Sequence, residues 1–167
     1  LDIKGMLGKK RNTPQFIKDL FLELSALLSK LTDVREVSQT IEAIKELARS
    51  SYQRLRRREY SLDELAFRVA LSKRPGDYVK TTPQHVKAAR LLMKYGVKVD
   101  VGDVVSYVKV RSSEGVKPVQ LARIDEIDEE KYMDYLETTF RQVLKALGVD
   151  FDEIIGSQHM DRFLALS

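Results

Sequence analysis

Apolar residues recur at helical spacing in long stretches of this 167-residue chain and alternate in shorter ones. Phe16, Ile17, Leu20, Phe21, Leu24, Leu27 and Leu28 form one face of a first helix. Thr13-Pro14 opens it: Thr caps the free N–H groups, and Pro at the first helical position loses no bond. Val34, Val37, Ile41, Ile44, Leu47, Ala48, Tyr52 and Leu55 make a second stripe, opened by Thr32 or Asp33, with Glu36 completing a capping box on Asp33. So short a turn makes the two helices antiparallel neighbours. Ser61 and Glu64 pattern another capping box, over a short turn. Phe67, Val69 and Leu71 alternate as in a strand, and Pro75-Gly76 turns the chain. Thr82-Pro83 opens the next helix. Thr82 is its cap, Val86, Ala89, Leu91, Leu92 and Tyr95 lie inside, and Gly96 stops it.

Val104 to Val110 reads as a strand. Val104, Ser106, Val108 and Val110 share the expected core side, and Lys109 makes the side of Val105 and Tyr107 partly wet. Gly115 marks a loop, after which Pro118 to Leu121 returns as a strand. Glu129 to Leu147 is a third long helix, with Tyr132, Met133, Leu136, Phe140, Val143, Leu144 and Leu147 facing inward, and the tail from Gly148 offers no helix of obvious length. The pattern predicts a mostly helical α+β fold, with long antiparallel helices and a small antiparallel sheet.

Composition narrows the class. At 43% apolar and 32% charged the chain is neither disordered nor membranous, and it is long enough for one domain with a real core. No apolar run approaches the roughly 18 residues of a spanning helix. The start, LDIKGMLGKK, lacks the apolar region of a signal peptide and begins with Leu rather than Met, as a chain beginning inside a longer one does. Cys is absent, which removes disulfides and Cys-ligated metals, and His85 and His159 lie too far apart in sequence to suggest zinc. Intracellular residence is the plain expectation.

The net charge is only +4, but it is unevenly spread. Lys4, Lys9, Lys10 and Arg11 crowd the start, and Lys73, Arg74, Lys80, Lys87, Arg90, Lys94 and Lys98 stand against Asp77 alone between 71 and 98. From 122 to 155 acidic residues outnumber cations. Such a split fits a domain with a basic side for a polyanion, or equally a scatter of solvated charge.

Enzymatic phosphate chemistry would need clustered carboxylates for Mg²⁺ or a Gly-rich phosphate cradle. Neither G-x-x-x-x-G-K-[ST] nor G-x-G-x-x-G occurs. Asp125, Glu126, Asp128, Glu129 and Glu130 precede or open a helix, where the dipole favours negative charge without any metal. Ser72 and His85 lack the third group that a hydrolase would require.

Cations interleaved with hydroxyls and amides are the make-up of a phosphate-contacting surface, in which Lys and Arg release counterions and the polar groups fix position without reading sequence. Lys4, Gly5, Lys9, Lys10, Arg11 and Asn12 form one such stretch; its other reading is a solvated basic terminus. Ser72, Lys73, Tyr78, Lys80, Thr82, His85 and Lys87 form a second, delivered to a helix N-terminus that itself favours anions. His85 there either donates to a phosphate or sugar, or bonds to backbone. Arg54, Arg56, Arg57 and Arg58 form a third, which serves DNA or the dipole of the helix it ends.

On these residues the chain resembles the C-terminal part of archaeal family B DNA polymerases. LDIKGMLGKKRN is similar to the segment where palm meets thumb. LAFRVALSKRPGDYVKTTPQHVKAARLL resembles the thumb stretch with a Ser/Thr-Lys pair, a Tyr and a Pro-x-His-Val helix start. VKVDVGDVVSYVKV resembles the following strand element, and KYMDYLETTFRQVLKALG the Tyr-rich last helix. TTPQHV carries one residue more between Tyr78 and His85 than some relatives, which leaves open which Thr meets DNA. ETTFRQ stands in place of the more usual Glu-Asn-Gln-x-x-Pro.

The resemblance implies a junction segment over 1–12, a thumb domain over 13–150 and a tail over 151–167. It implies a thumb that wraps primer–template duplex from its minor-groove side through sugar-phosphate contacts. Lys4, Gly5, Lys9, Lys10, Arg11 and Asn12 would lie near the primer strand, and Ser72, Lys73, Tyr78, Lys80, Thr82, His85 and Lys87 would line the duplex. The polymerase and exonuclease carboxylates would lie upstream, outside this chain, so that Mg²⁺ serves the parent polymerase and no cofactor belongs here. The partners implied are duplex DNA and the palm, in the cytoplasm of an archaeal cell at the nucleoid. Ser157 to Leu164 resembles a degenerate sliding-clamp peptide, with Met160, Phe163 and Leu164 as apolar anchors for a clamp pocket, or else forms a short packed helix. High charge without Cys fits a thermophile. Two other functions share these residues: a separately encoded small subunit that completes a split polymerase, and a helical protein-interaction adaptor with an incidental basic patch.

Overall fold

The computed structural model describes residues 12–30, 36–146 and 148–155. The leading residues Lys4, Gly5, Lys9, Lys10 and Arg11, the expected Asp33 cap, and the anchors Met160, Phe163 and Leu164 lie outside the described residues. The helices are α1 (Gln15–Ser29), α2 (Val37–Arg56), the short α3 (Leu62–Leu65), α4 (Gln84–Lys94), α5 (Glu129–Ala146) and the short α6 (Phe151–Ile155). The strands are β1 (Phe67–Ala70), β2 (Val104–Lys109) and β3 (Val116–Pro118). This is a mostly helical fold with one small antiparallel sheet. The described residues fall into two compact units: Ile17–Glu59 with the residues from Glu129 onward, and those up to Phe16 with Tyr60–Asp128.

The first unit is helical. α2 packs on α5, and both touch α6. Ile44, Ala48, Tyr52 and Leu55 are buried on α2, and Tyr132, Leu136, Phe140, Val143 and Leu144 on α5, each stripe at the spacing that brings residues onto one face. The Tyr52 hydroxyl donates to the carbonyl of Met133 (3.2 Å), so this large buried ring leaves no polar atom unpaired. α1 buries Ile17, Leu20, Phe21 and Leu24, and its last turn and the first turn of α2 flank one hollow lined by Leu27, Lys30, Glu36, Gln39, Thr40 and Ala43. Two expectations fail here. Val37 is exposed, because α2 starts at that residue after Glu36, which caps without a side-chain bond. The tail after Gly148 does form a helix, α6, short enough to escape a periodicity test; its Phe151 is buried 6.2 Å from Phe140.

The second unit sets α4 against the β1–β2–β3 sheet. Ser61 and Glu64 form the expected capping box on α3: the Glu64 N–H donates to the Ser61 hydroxyl (3.1 Å) and the Ser61 N–H to the Glu64 carboxylate (3.0 Å). In the sheet Phe67 pairs with Tyr107 and Val69 with Val105. The face assignment of β2 needs correction. Val105 and Tyr107 are buried, while Val104 is 62% exposed and Ser106 half-buried. Lys109 makes that side look wet in the sequence, but its ammonium reaches over the ring of Phe67 (5.2 Å), which itself stacks on Tyr107 (5.4 Å). Val108 and Val110 are buried on the opposite side, so both faces are covered at this end. The returning strand is Val116–Pro118, earlier than expected; Pro118 supplies no N–H, and the chain then turns through Val119–Leu121.

Candidate nucleic-acid interface

The end of α4 shows why this helix is a stable platform. Gly96 (φ 85°) closes it in a Schellman motif: the Val97 N–H donates to Leu92 (2.9 Å) and the Gly96 N–H to Met93 (3.0 Å). The buried face of the helix carries Val86, Ala88, Ala89 and Leu92. Tyr95, expected inside, is 68% exposed because it lies at the C-cap, past the last helical turn.

The start of α4 differs from expectation. Pro83, in extended conformation, occupies the N-cap position and makes no side-chain bond. Thr82 stands one residue too early to cap. Its hydroxyl instead accepts a hydrogen bond from Arg90 Nη1 (3.1 Å). Arg90 also donates to the Pro75 carbonyl from Nε (3.3 Å) and Nη2 (2.9 Å), and to the Tyr78 carbonyl from Nη2 (3.2 Å).

These bonds place a compact polar cluster beside the first turn of α4. The Ser72 and Tyr78 hydroxyls are hydrogen-bonded at 3.1 Å. Lys73 holds its ammonium 5.6 Å from the centre of the Tyr78 ring, and His85 meets that ring edge-on at 6.2 Å. Burial lowers the His85 pKa from its ordinary value, so the imidazole is neutral at neutral pH and brings hydrogen-bonding capacity without charge. Five of the expected residues, Ser72, Lys73, Tyr78, Thr82 and His85, are thus brought together. Lys80 is exposed on the same turn. Lys87 is half-buried on α4, two residues beyond His85 and therefore about 160° around the helix from it. Asn12 is exposed in a turn ahead of α1. Among the described residues no carboxylate lies within ion-pair distance of Lys73, Lys80 or Lys87.

The arginine run has a different setting. α2 also ends in a Schellman motif, with the Glu59 N–H donating to Arg54 (2.9 Å) and the Arg58 N–H to Leu55 (3.1 Å). The left-handed position that glycine usually takes is held by Arg58, at φ 54°. Arg56 Nε and Arg58 Nη1 lie 3.6 and 3.7 Å from the Glu129 carboxylate at the start of α5. Among the described residues, no group of three or more His, Cys, Asp or Glu is placed to hold a metal ion. The acidic segment spends its charge on neighbours: Glu126 pairs with Lys117, and Asp125 with Arg123 (2.7 Å).

The family model for DNA polymerase family B matches residues 1–153. The chain belongs to DNA polymerase family B. DNA polymerase 1 of Saccharolobus solfataricus is 49% identical to this polymerase chain over 99% of its length, and DNA polymerase 1 of Aeropyrum pernix is 45% identical over 97%. The chain covers 19% and 17% of those two relatives, so it corresponds to part of a much longer polymerase. The structure of the family B DNA polymerase from the hyperthermophilic archaeon Pyrobaculum calidifontis aligns with a TM-score of 0.63 and 26% identity, over 77% of this chain and 17% of that one. No described helix is long and apolar enough to cross a membrane.

Two participants carry no distinguishing mark in the sequence: Arg90 is one more cation on a basic stretch there, and Glu129 a helix-opening acid. The arginine's i+8 distance from Thr82 and i+15 distance from Pro75 leave no local signal, since the bonds exist only once the turn folds back on α4.

Proposed function

We propose that this chain is the thumb of a family B DNA polymerase and grips primer–template duplex through its sugar-phosphate backbones. The observation that carries the reading is the cluster of Ser72, Lys73, Tyr78, Thr82 and His85 at the start of α4, with lysines that no nearby carboxylate neutralises. Such a surface can trade counterions for phosphates while its hydroxyls and neutral imidazole bond to phosphate or sugar oxygens. None of these groups reads a base edge, so the grip is independent of sequence. In this reading Lys80 and Lys87 extend the surface, and Lys4, Gly5, Lys9, Lys10, Arg11 and Asn12 are further candidates for contact with DNA. Catalytic carboxylates and their Mg²⁺ belong to the rest of the polymerase, in the archaeal cytoplasm with the nucleoid.

The test is a titration of fluorescent primer–template duplex across a salt series. Binding with a steep salt slope and little preference among sequences is the expected result. No binding even at low salt, for the intact polymerase and for this chain, overturns the assignment.

A further inference from the structure

We propose that Arg90 is a positioning residue, whose guanidinium staples the 75–82 turn to α4 and so holds Tyr78, Ser72 and Lys73 where they can meet a nucleic-acid backbone. The inference rests on the duplex-gripping reading above and adds to it the group that keeps the surface in shape.

The turn buries little of itself. Pro75 is buried and Tyr78 half-buried, whereas Gly76, Asp77, Lys80 and Thr81 are exposed and Val79 is 89% exposed. Tyr78 is bonded to the Ser72 hydroxyl and meets the His85 ring edge-on, and the Asp77 N–H bonds to the Arg74 carbonyl (2.9 Å). Arg90 supplies the hydrogen bonds that tie the turn to α4, through three acceptors spread along it: the Pro75 carbonyl, the Tyr78 carbonyl and the Thr82 hydroxyl. The helix behind the arginine is immobilised by the buried Val86, Ala88, Ala89 and Leu92 and by its Schellman close.

The bond pattern also argues against a direct role on phosphate. Nε donates once, Nη2 twice and Nη1 once, so only a single N–H remains unspent. A bidentate phosphate contact would need two and would release the turn. Lysine cannot replace this group, because a point-like ammonium on a flexible stem does not match three acceptors held by a planar fork.

The mechanical consequence is specific. The Tyr78 backbone is fixed by its own carbonyl, and the Tyr78 ring is the common partner of Ser72, Lys73 and His85. Releasing the carbonyl releases the ring, and with it the spacing of the hydroxyl and ammonium groups.

The experiment compares Arg90→Lys and Arg90→Ala in the intact polymerase, reading duplex affinity across a salt series and, in the free protein, hydrogen exchange of the Asp77 amide, which is bonded to the Arg74 carbonyl (2.9 Å) inside the stapled turn. Both variants are expected to bind roughly tenfold more weakly, to exchange this amide faster and to keep a near-normal Tm. Arg90→Lys keeps its charge, so its salt slope should match the parent's. Its effect should disappear when Lys73→Ala and Tyr78→Ala are already present, which a general loss of stability would not produce. Normal binding by Arg90→Lys, with a weaker Arg90→Ala whose salt slope falls by about one, identifies a phosphate contact and overturns the proposal. Unchanged exchange in both variants, or an undiminished effect in the Lys73→Ala/Tyr78→Ala background, overturns it too. If the parent binds no duplex, the thumb reading fails, while the exchange measurement still decides whether Arg90 staples the turn.

Discussion

The arginines that close α2 and the lysines around Tyr78 are similar in composition and opposite in circumstance. Arg56 and Arg58 face Glu129, and Arg58 does so from a left-handed backbone position. Arg141 is held in the same manner, by Glu137 (3.0 Å) and Asp152 (2.9 Å) with Phe151 beneath it, and its pKa is raised by those bonds. Lys73 instead lies over an aromatic ring, beside two hydroxyls and a neutral histidine. A cation already paired with a carboxylate has little left to offer a phosphate. One that is surrounded by hydroxyls and ring faces keeps its full charge and gains further donors and acceptors around it. Counting basic residues cannot separate these cases, but the partners can.

The widest gap between the two regions should appear in DNA binding. Lys73→Ala with Lys87→Ala is expected to weaken duplex binding on the order of 50-fold at 0.1 M salt and to flatten the salt slope by about two. Extension products should shorten while the single-turnover chemical rate holds. A change in slope of only about one would remove Lys87 from the interface, in keeping with its place about 160° from His85 around α4. A large loss in the chemical step with unchanged product length would count against the whole division of labour.

In the arginine run the expected change is in stability alone. Arg58→Gly removes the strain of a side chain at positive φ, worth about 1 kcal/mol, and loses a partly exposed ion pair worth less than that. The net result should be a gain of roughly 0.5 kcal/mol in chemical denaturation, with duplex affinity unaltered. A marked loss of affinity would move this arginine into the DNA-binding group.

His85→Gln sharpens the comparison further. Because the histidine is neutral above its lowered pKa, the substitution should reduce affinity about threefold and leave the salt slope unchanged at pH 7.5. A flatter slope in the variant at that pH would show that the imidazole carries charge in the complex.

The smallest effect belongs to the paired cations. The hydrogen bond from Arg141 holds the Asp152 carboxyl below the usual carboxylate range, against a smaller opposing effect of desolvation. A depressed folded-state pKa contributes stability that is present above the unfolded value, about 3.9, and lost as pH falls through the folded value. The Tm difference between the parent and Asp152→Asn should therefore be constant above about pH 5 and shrink in acid. A difference that persists unchanged to pH 2 would contradict the pairing.

Much of the fold was legible because local rules and tertiary needs agree. Ile44, Ala48, Tyr52 and Leu55 of the α2 stripe and Tyr132, Leu136, Phe140, Val143 and Leu144 of the α5 stripe are buried, Ser61 and Glu64 form their box, and Gly96 ends α4. Two of the readings that failed share one cause. Lys109 and Thr82 are amphipathic or polar residues whose setting depends on distant partners, the Phe67 ring for Lys109 and Arg90 for Thr82, whereas Val37 and Tyr95 failed on where a helix begins or ends. The identity of the phosphate-binding candidates was visible as a run of Ser, Lys, Tyr, Thr and His. Their grouping around one ring was not.

The sequence by itself determined the four long helices and the presence of a small sheet, because hydrophobic periodicity and capping act over a few residues and need no knowledge of the remainder. It also determined the family, through motifs kept in order along the chain. Only the tertiary structure decided which cations are neutralised and which stay available. Ion pairing and hydrogen bonding fall off within a few ångströms, and those distances are set by residues 15 or more apart in the chain, such as Arg58 with Glu129 and Arg90 with Pro75.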